Sequence, residues 1–370
     1  MQITAAVMEK PDGVLARRRI KLEKVELEDP REDEVLIRVT SCGVCGTDKG
    51  CIHGLEPFPI PGVLGHEGAG VVEAIGSRVS LVKTGDRVMI GVPFCGHCLT
   101  CRRGEPRYCQ NYMALTSSGY RMDGSSPMSR DGETLAGRFF QQSSWVPNTL
   151  ALERQLARAH DGLDLDLTGQ YGCSISTGAG TNFNELKPYP RSSIAGFGAG
   201  NVGLGAVMAA RMTGATTIIA VDEVAERLAL AGELGATHTL QHGPGTVEEP
   251  KALIRDNVDF SMEATDGSNL VSEAIEALGV RGTCARMGGA KLTETVQYKF
   301  ADVPLKGKRI VGAMGGGGQS PMFLEDLMRL QLEGRFPLEK PVKFHDFADV
   351  NQAIDDSDAH KIIKPILRMQ

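Results

Sequence analysis

Four cysteines fall within fifteen residues, as Cys95-x2-Cys98-x2-Cys101-x7-Cys109. Four thiolates at such spacing can surround one tetrahedral zinc. With every position filled by protein, such a site is structural rather than catalytic, and its stabilisation is tied to metal binding because only the folded loop holds the ion. Unpaired thiols and an iron–sulfur cluster are the other uses of such a run, but the spacing differs from that of the bacterial ferredoxins. His97, inside the loop, reads as a solvent-facing residue. A second set is dispersed: Cys45 in Cys45-Gly46-Thr47-Asp48, His66 in Gly65-His66-Glu67 and Cys173 in Gly172-Cys173-Ser174. Two thiolates and one imidazole would leave a fourth tetrahedral position for water or substrate, and a cation there makes a hydroxyl group much easier to deprotonate. Taken singly, each has a plainer reading as a core cysteine or a hydrogen-bonded histidine. Cys42, Cys51 and Cys284 have no such context and read as small core residues.

A third pattern is Gly198-Ala199-Gly200-Asn201-Val202-Gly203, placed between an apolar run and a helical stretch. Glycines there permit a tight turn and close approach of a pyrophosphate to a helix N-terminus. Asp222 ends the next apolar run, 24 positions after Gly198. Its carboxylate can accept from ribose hydroxyls and would repel the extra phosphate of NADP. Glu223 adds to that repulsion, while Arg227 is the counterargument.

These groups need two kinds of scaffold. The first 110 residues are rich in short β-branched runs such as Val35–Val39 and Gly70–Ile75, bounded by Pro and Gly. Residues 115–137 are polar and read as a long surface loop. After about Leu165, apolar strands at 194–197, 218–222, 258–262 and 282–287 alternate with helical stretches, which implies parallel βαβ units. A helix through 323–332 and a strand over 362–367 follow. The plan is a β-rich domain, an inserted α/β domain, and a C-terminal return to the first. The 370 residues suit two domains, and the net charge of -6 without a basic run gives no footing for nucleic acid or an anionic membrane. The N-terminus lacks signal-peptide features, and the most membrane-like window, 192–212, carries Asn201, Arg211 and five glycines. An odd count of nine cysteines, four of them clustered, argues for metal rather than disulfides and for a cytoplasmic chain.

Gly65-His66-Glu67-x2-Gly70-x5-Gly76-x2-Val79 resembles the zinc signature of the medium-chain alcohol dehydrogenases. The four-cysteine loop follows at that family's position, residues 172–174 resemble its third-ligand segment, and the resemblance runs from about Ala5 to Leu367. It implies a GroES-like catalytic domain over 1–170 and 319–370 and a Rossmann NAD-binding domain, a doubly wound parallel sheet, over 171–318. It also implies two zinc ions, a catalytic one on Cys45, His66 and Cys173 and a structural one on the four-cysteine loop, with NAD as hydride acceptor from an alcohol. Thr47 is then expected to take the substrate proton, Asp48 to orient His66, and Glu67 to sit behind the zinc. Cofactor contacts are expected from Gly198, Gly200, Asn201, Val202, Gly203, Asp222, Arg227 and Lys364.

Cys at the third ligand position, the run Phe139-Phe140-Gln141-Gln142-Ser143-Ser144 and the ending Lys364-Pro365-Ile366-Leu367 are most similar to the aryl-alcohol branch, which implies primary aromatic or allylic substrates. The strand at Arg309–Met314 is expected to pair across a two-fold axis, giving a homodimer or homotetramer. Two positions depart from the pattern. Gly46 stands where many relatives have Arg or His, and Gly50 where many have the histidine that ends the proton relay; His53 is near in sequence, and the resemblance places Glu56 in a loop that lines the pocket in relatives. The other readings are an aldehyde reductase, a dehydrogenase of bulky secondary alcohols, and a non-catalytic dinucleotide-binding regulator. The last predicts decay of the metal ligands, yet all three and Thr47 are present.

Overall fold

The computed structural model of the chain describes residues 1–11, 18–243, 252–253, 257–265, 267–287, 295–318 and 321–369. The chain divides into two compact units. One comprises Met1–Cys173, Gln319–Gly334 and Val342–Gln370; the other comprises Ser174–Gly318 and Arg335–Pro341. The change of unit falls just after Cys173, so the three dispersed candidate ligands lie in the same unit. Arg335–Pro341 was grouped with the β-rich domain from sequence. It belongs with the α/β unit, in which Lys340 pairs with Glu233 at 2.9 Å.

The first unit holds two sheets. The five-stranded sheet runs Gly62–Val63, Gln2–Met8, Ile20–Leu27, Met128–Arg130, Glu133–Leu135. The larger sheet centres on Glu34–Gly43, flanked by Gly68–Ile75 and, on its other side, by the C-terminal strand Lys364–Arg368; Asn148–Leu152 also pairs with it. Val35, Ile37 and Val39 alternate inward and are buried, as a half-covered strand requires. Antiparallel pairing of Ile366 with Gly43 returns the C-terminus to the start of the chain.

Residues 115–137 are not the free loop that their polarity suggests. Met128–Arg130 and Glu133–Leu135 form a hairpin that joins the five-stranded sheet. Asp131 and Gly132 at its tip both have positive φ, 53° and 81°, as a two-residue Asp-Gly turn requires.

The second unit is a six-stranded sheet, every pairing parallel, in the order His238–Gln241, Thr217–Asp222, Ser193–Phe197, Val258–Glu263, Leu278–Arg286, Arg309–Gly312. In chain order this is 3-2-1-4-5-6, the doubly wound arrangement whose ligand crevice lies at the carboxyl end of the first strand. Met314–Gly316 closes the stretch after the last strand, and Gly315 and Gly316 are buried. A Cβ on Gly316 would lie 2.3 Å from the Ser176 carbonyl oxygen. The glycine run 315–318 therefore begins as a close-packed turn against helix Ser174–Gly180. No helix among the described residues is long and apolar enough to cross a membrane.

Candidate metal centre and nucleotide turn

Cys45 caps the N-terminus of the short helix Gly46–Ile52, which begins as the Glu34–Gly43 strand ends. His66 precedes the Gly68–Ile75 strand, and Cys173 ends the turn Gly169–Gly172. The ligand atoms of Cys45, His66 and Cys173 lie within 4.8 Å of one another. Buried Asp48 ties two of them together. Its Oδ2 accepts from the Cys45 backbone N–H at 2.9 Å, and its Oδ1 accepts from the Gly65 N–H at 3.1 Å and from His66 Nδ1 at 3.1 Å. One carboxylate thus holds the strand entering His66, the imidazole itself and the helix start that carries Cys45.

This arrangement fits a thiophilic cation. With Nδ1 donating to Asp48, the His66 Nε2 lone pair is left; it is buried and has no partner. The acid–base balance is that of a proton-filled metal site. Cys45 is held well below the usual thiol range, first by the Cys173 side chain and then by His66 against the effect of burial. The Cys45 side chain and burial push Cys173 well above that range. A divalent cation held by Cys45, His66 and Cys173 would take the place of those protons. Cys42, Cys51 and Cys284 are buried and lie outside both ligand groups.

The glycines of the signature are explained by close approach. A Cβ on Gly70 would lie 2.2 Å from the Arg38 carbonyl oxygen, and one on Gly76 would lie 1.9 Å from that of Arg31. The run Phe139–Ser144 clamps the same strand. Phe140 stacks on the His66 ring at 4.5 Å between centroids, and Phe139 meets it edge-on at 5.4 Å. Gln142 donates through Nε2 to the His66 carbonyl at 3.0 Å and accepts from the Gly68 N–H at 3.2 Å. Phe140, Gln141 and Ser143 adopt positive φ of 50°, 53° and 47°, a costly conformation that packing must hold. No local sequence signal marks this clamp, since residues with side chains at positive φ are uncommon.

Glu67 and Lys364 form a buried ion pair; both are essentially inaccessible. Lys364 Nζ also donates to the Val44 carbonyl at 3.3 Å. Lys364 was expected as a pyrophosphate contact, but its ammonium is engaged with Glu67 inside the first unit and is not a solvated surface group. Burial raises the Glu67 carboxyl above its ordinary value even though Lys364 opposes this. Thr47 is half-buried in the first turn of the Cys45 helix. A side chain at Gly46 would meet nothing within 4 Å, whereas a Cβ at Gly50 would lie 2.8 Å from Glu56 Cγ. The stem of Glu56 thus occupies the space where many relatives carry the relay histidine. His53 is turned to Asp358, at 2.8 Å.

In the cysteine loop, all four Sγ atoms lie within 4.8 Å of one another. Backbone N–H groups of Cys98, Cys95 and Gln110 point at the sulfurs of Cys95, Cys109 and Cys98, at 3.3, 3.4 and 3.4 Å. Such donors stabilise thiolates and suit a closed zinc site. His97 Nδ1 faces the Cys95 carbonyl at 3.0 Å and is not among the ligands.

In the second unit, Gly198 has φ 94° and Gly200 caps helix Asn201–Met212. A Cβ on Gly203 would lie 1.8 Å from the Gly198 carbonyl oxygen, so the turn admits only glycine there. Asp222 ends the second strand of this sheet. Its Oδ2 accepts from the Ala199 N–H at 2.7 Å and its Oδ1 from the Val224 N–H at 2.9 Å, with Arg227 Nη1 at 3.9 Å. Asn201 Nδ2 donates to Ser174 Oγ at 2.7 Å, and Val202 is half-buried beside it.

An open thiolate–imidazole metal site in one unit and a doubly wound nucleotide fold in the other define a metal- and dinucleotide-dependent oxidoreductase. Residues 31–153 match the alcohol dehydrogenase GroES-like domain, and residues 201–331 match the zinc-binding dehydrogenase domain. Geraniol dehydrogenase of Castellaniella defragrans is 35% identical over 366 residues, 98% of this chain and 96% of that protein. The crystal structure of an alcohol dehydrogenase zinc-binding domain protein from Burkholderia ambifaria superposes with a TM-score of 0.95 at 40% identity, covering 100% of this chain and 99% of the other. That of benzyl alcohol dehydrogenase from Acinetobacter calcoaceticus gives 0.94 at 36% identity, covering 100% of each. The chain belongs to the zinc-dependent medium-chain alcohol dehydrogenase family. Its activity is the family's, an NAD-linked and zinc-dependent oxidation of alcohols.

Proposed function

We propose that the chain interconverts a primary aromatic or allylic alcohol and its aldehyde, with catalytic zinc held by Cys45, His66 and Cys173. The observation that carries this reading is the convergence of those three ligand atoms within 4.8 Å, braced by Asp48. Among the described residues no fourth protein ligand completes the group. Zinc bound there supplies a Lewis acid that acidifies the alcohol and polarises the aldehyde carbonyl. Asp48 holds the His66 tautomer through Nδ1 and aims Nε2 at the metal position. Phe139 and Phe140 pack against the imidazole and keep water from it. Thr47, in the first turn beside Cys45, is the group that receives the substrate proton. The Glu67–Lys364 pair places a neutralised charge behind the ligands. The substrate class follows the names of two relatives, a geraniol and a benzyl alcohol dehydrogenase.

The structural zinc is held by Cys95, Cys98, Cys101 and Cys109. NAD is preferred over NADP because the Asp222 carboxylate ends the second strand beside the glycine turn, where it accepts from ribose hydroxyls and repels a 2′-phosphate. Gly198, Gly200 and Gly203 make room for the pyrophosphate; Asn201 and Val202 open the helix, and Arg227 flanks Asp222. The chain is a cytoplasmic homo-oligomer. None of the nine cysteines is joined in a disulfide, which suits a reducing compartment. Arg309–Gly312 is the edge of its sheet with Ile310 exposed, a surface that pairing with a second copy would cover.

A panel of benzylic, allylic, aliphatic and secondary alcohols and their carbonyl products, assayed with NAD and NADP on zinc-replete enzyme, tests this. Highest kcat/KM for benzylic or allylic primary alcohols with NAD is expected, and turnover confined to secondary alcohols would overturn the substrate class. Light scattering reads the oligomer; a monomer would refute the edge pairing.

A further inference from the structure

The nucleotide unit holds a histidine with no part in the chemistry above. His242 follows the edge strand His238–Gln241 at the carboxyl end of the parallel sheet, the end at which a doubly wound fold takes its ligand. Its backbone N–H donates to the Asp222 carbonyl at 2.8 Å. The preceding Gln241 donates through Nε2 to the Glu223 carbonyl at 3.0 Å. Both bonds tie His242 to the strand end that carries the ribose-binding carboxylate. The His242 side chain is 24% exposed, so it is open to solvent.

The imidazole lies between two carboxylates. Nδ1 is 3.6 Å from Glu223 Oε1, and Nε2 is 3.3 Å from Glu273 Oε1 on helix Ser268–Glu276. A neutral imidazole carries one N–H and can serve only one of them, whereas the imidazolium donates from both nitrogens. The other ion pair at this end, among the described residues, joins Asp222 to Arg227 of helix Ala225–Leu234, at 3.9 Å. With His242 neutral, the carboxylates of Asp222, Glu223 and Glu273 face one guanidinium. With His242 protonated, they face two cations. The Asp222 Oδ1 is turned over residue 223, where it accepts from the Val224 N–H at 2.9 Å. A ribose held by that carboxylate has its 2′-position on the side of Glu223 and His242.

We propose that His242 sets the choice of dinucleotide through its charge. Neutral, it leaves the carboxylates to exclude a 2′-phosphate. Protonated, it offsets Glu223 and admits NADP. NAD has a hydroxyl at that position and is little affected. Histidine changes charge between about pH 5 and 8, so the preference for NAD is strict in mild alkali and relaxes as pH falls. The inference rests on the assignment of Asp222 to the ribose and adds the residue that makes the discrimination conditional.

The test is calorimetric titration of zinc-replete, full-length protein with ADP-ribose and with 2′-phospho-ADP-ribose, at pH 8.5 and pH 6.0, without turnover. A full charge several ångströms from the phosphate in a half-exposed site corresponds to roughly three- to tenfold in affinity. The Kd ratio of phosphorylated to plain ligand should therefore fall roughly three- to tenfold further, from pH 8.5 to 6.0, in wild type than in His242→Gln. The phosphate of the ligand titrates in the same range but does so against both proteins, so the difference between them isolates His242. His242→Lys, a fixed cation, should keep the ratio low at both pH values. An equal fall in wild type and His242→Gln overturns the proposal, as does a wild-type ratio that does not change with pH. If His242→Gln does not fold, the same difference taken against His242→Lys decides. Unchanged ADP-ribose affinity in Asp222→Ser would instead sink the ribose assignment, a result separate from the pH dependence.

Discussion

Replacing Asp48 with Asn should loosen the catalytic zinc while sparing the structural one. Asp48 accepts three hydrogen bonds in full burial, from Cys45 N at 2.9 Å and from Gly65 N and His66 Nδ1 at 3.1 Å each. An asparagine offers one accepting and one donating end. If its oxygen serves His66 and Gly65, its amide faces the Cys45 N–H, donor against donor. If it flips, the amide donates to His66 Nδ1 and favours the tautomer that puts a proton on Nε2, where the metal must bind. Either way one charge-assisted hydrogen bond is lost outright, about 1.5–3 kcal/mol. At about 1.4 kcal/mol per decade that is roughly 10- to 100-fold in zinc affinity, the range found for carboxylates behind ligating histidines. Zinc released to a chromophoric chelator, with metal content by plasma mass spectrometry, should show one loosened and one unchanged zinc per chain. Two zincs held within threefold of wild-type affinity would refute the bracing role.

Other substitutions probe the remaining parts. Cys101→Ala should bring zinc to one per chain and lower Tm, because a three-thiolate remnant leaves the loop without its closed tetrahedral site; an unchanged Tm would argue against a structural ion. Asp222→Ser should weaken NAD use and relax discrimination against NADP, and unchanged kcat/KM for NAD would exclude the ribose contact. Glu34→Gln should cost about 3–5 kcal/mol, because Arg138 loses the carboxylate 3.2 Å from its Nη2 and Arg121, now held by both Glu34 and Glu28 at 2.8 Å, keeps only Glu28; denaturant unfolding reads the loss. Burial raises the Glu34 carboxyl, but Arg121 and Arg138 outweigh this and hold it below the ordinary 4.5. Its contribution is therefore fully present above about pH 4.5 and is lost as pH falls through the lowered folded value. Glu34→Gln should flatten the stability profile in that acid window, and an unchanged slope would show that Glu34 does not titrate there.

Much of the centre was legible because its chemistry is local. The cysteine loop is one short segment, so four thiols announce a closed site before any fold is known. The glycine turn, the strand before it and Asp222 lie within one βαβ stretch, and the alternation of strands and helices implies a parallel sheet. The hairpin at 128–135 was legible too, in Asp131-Gly132, but the polarity of its surroundings hid it. The alternation that buries Met128 and Leu135 spans only three residues on each strand.

What the chain alone left open depends on contacts between residues far apart. Cys45, His66 and Cys173 are each unremarkable in sequence, and only the tertiary fold brings their ligand atoms within 4.8 Å. Lys364 meets Glu67 across 297 positions, so a lysine that looked free for a cofactor proves to neutralise a buried carboxylate. Glu56 fills the space above Gly50 because the chain turns back on the Cys45 helix, which no pattern of residue types encodes. The positive φ of Phe140, Gln141 and Ser143 runs against local preference and persists because packing around His66 outweighs it. Residue types determined what the site can bind; burial and long-range packing decided which charges are paired there.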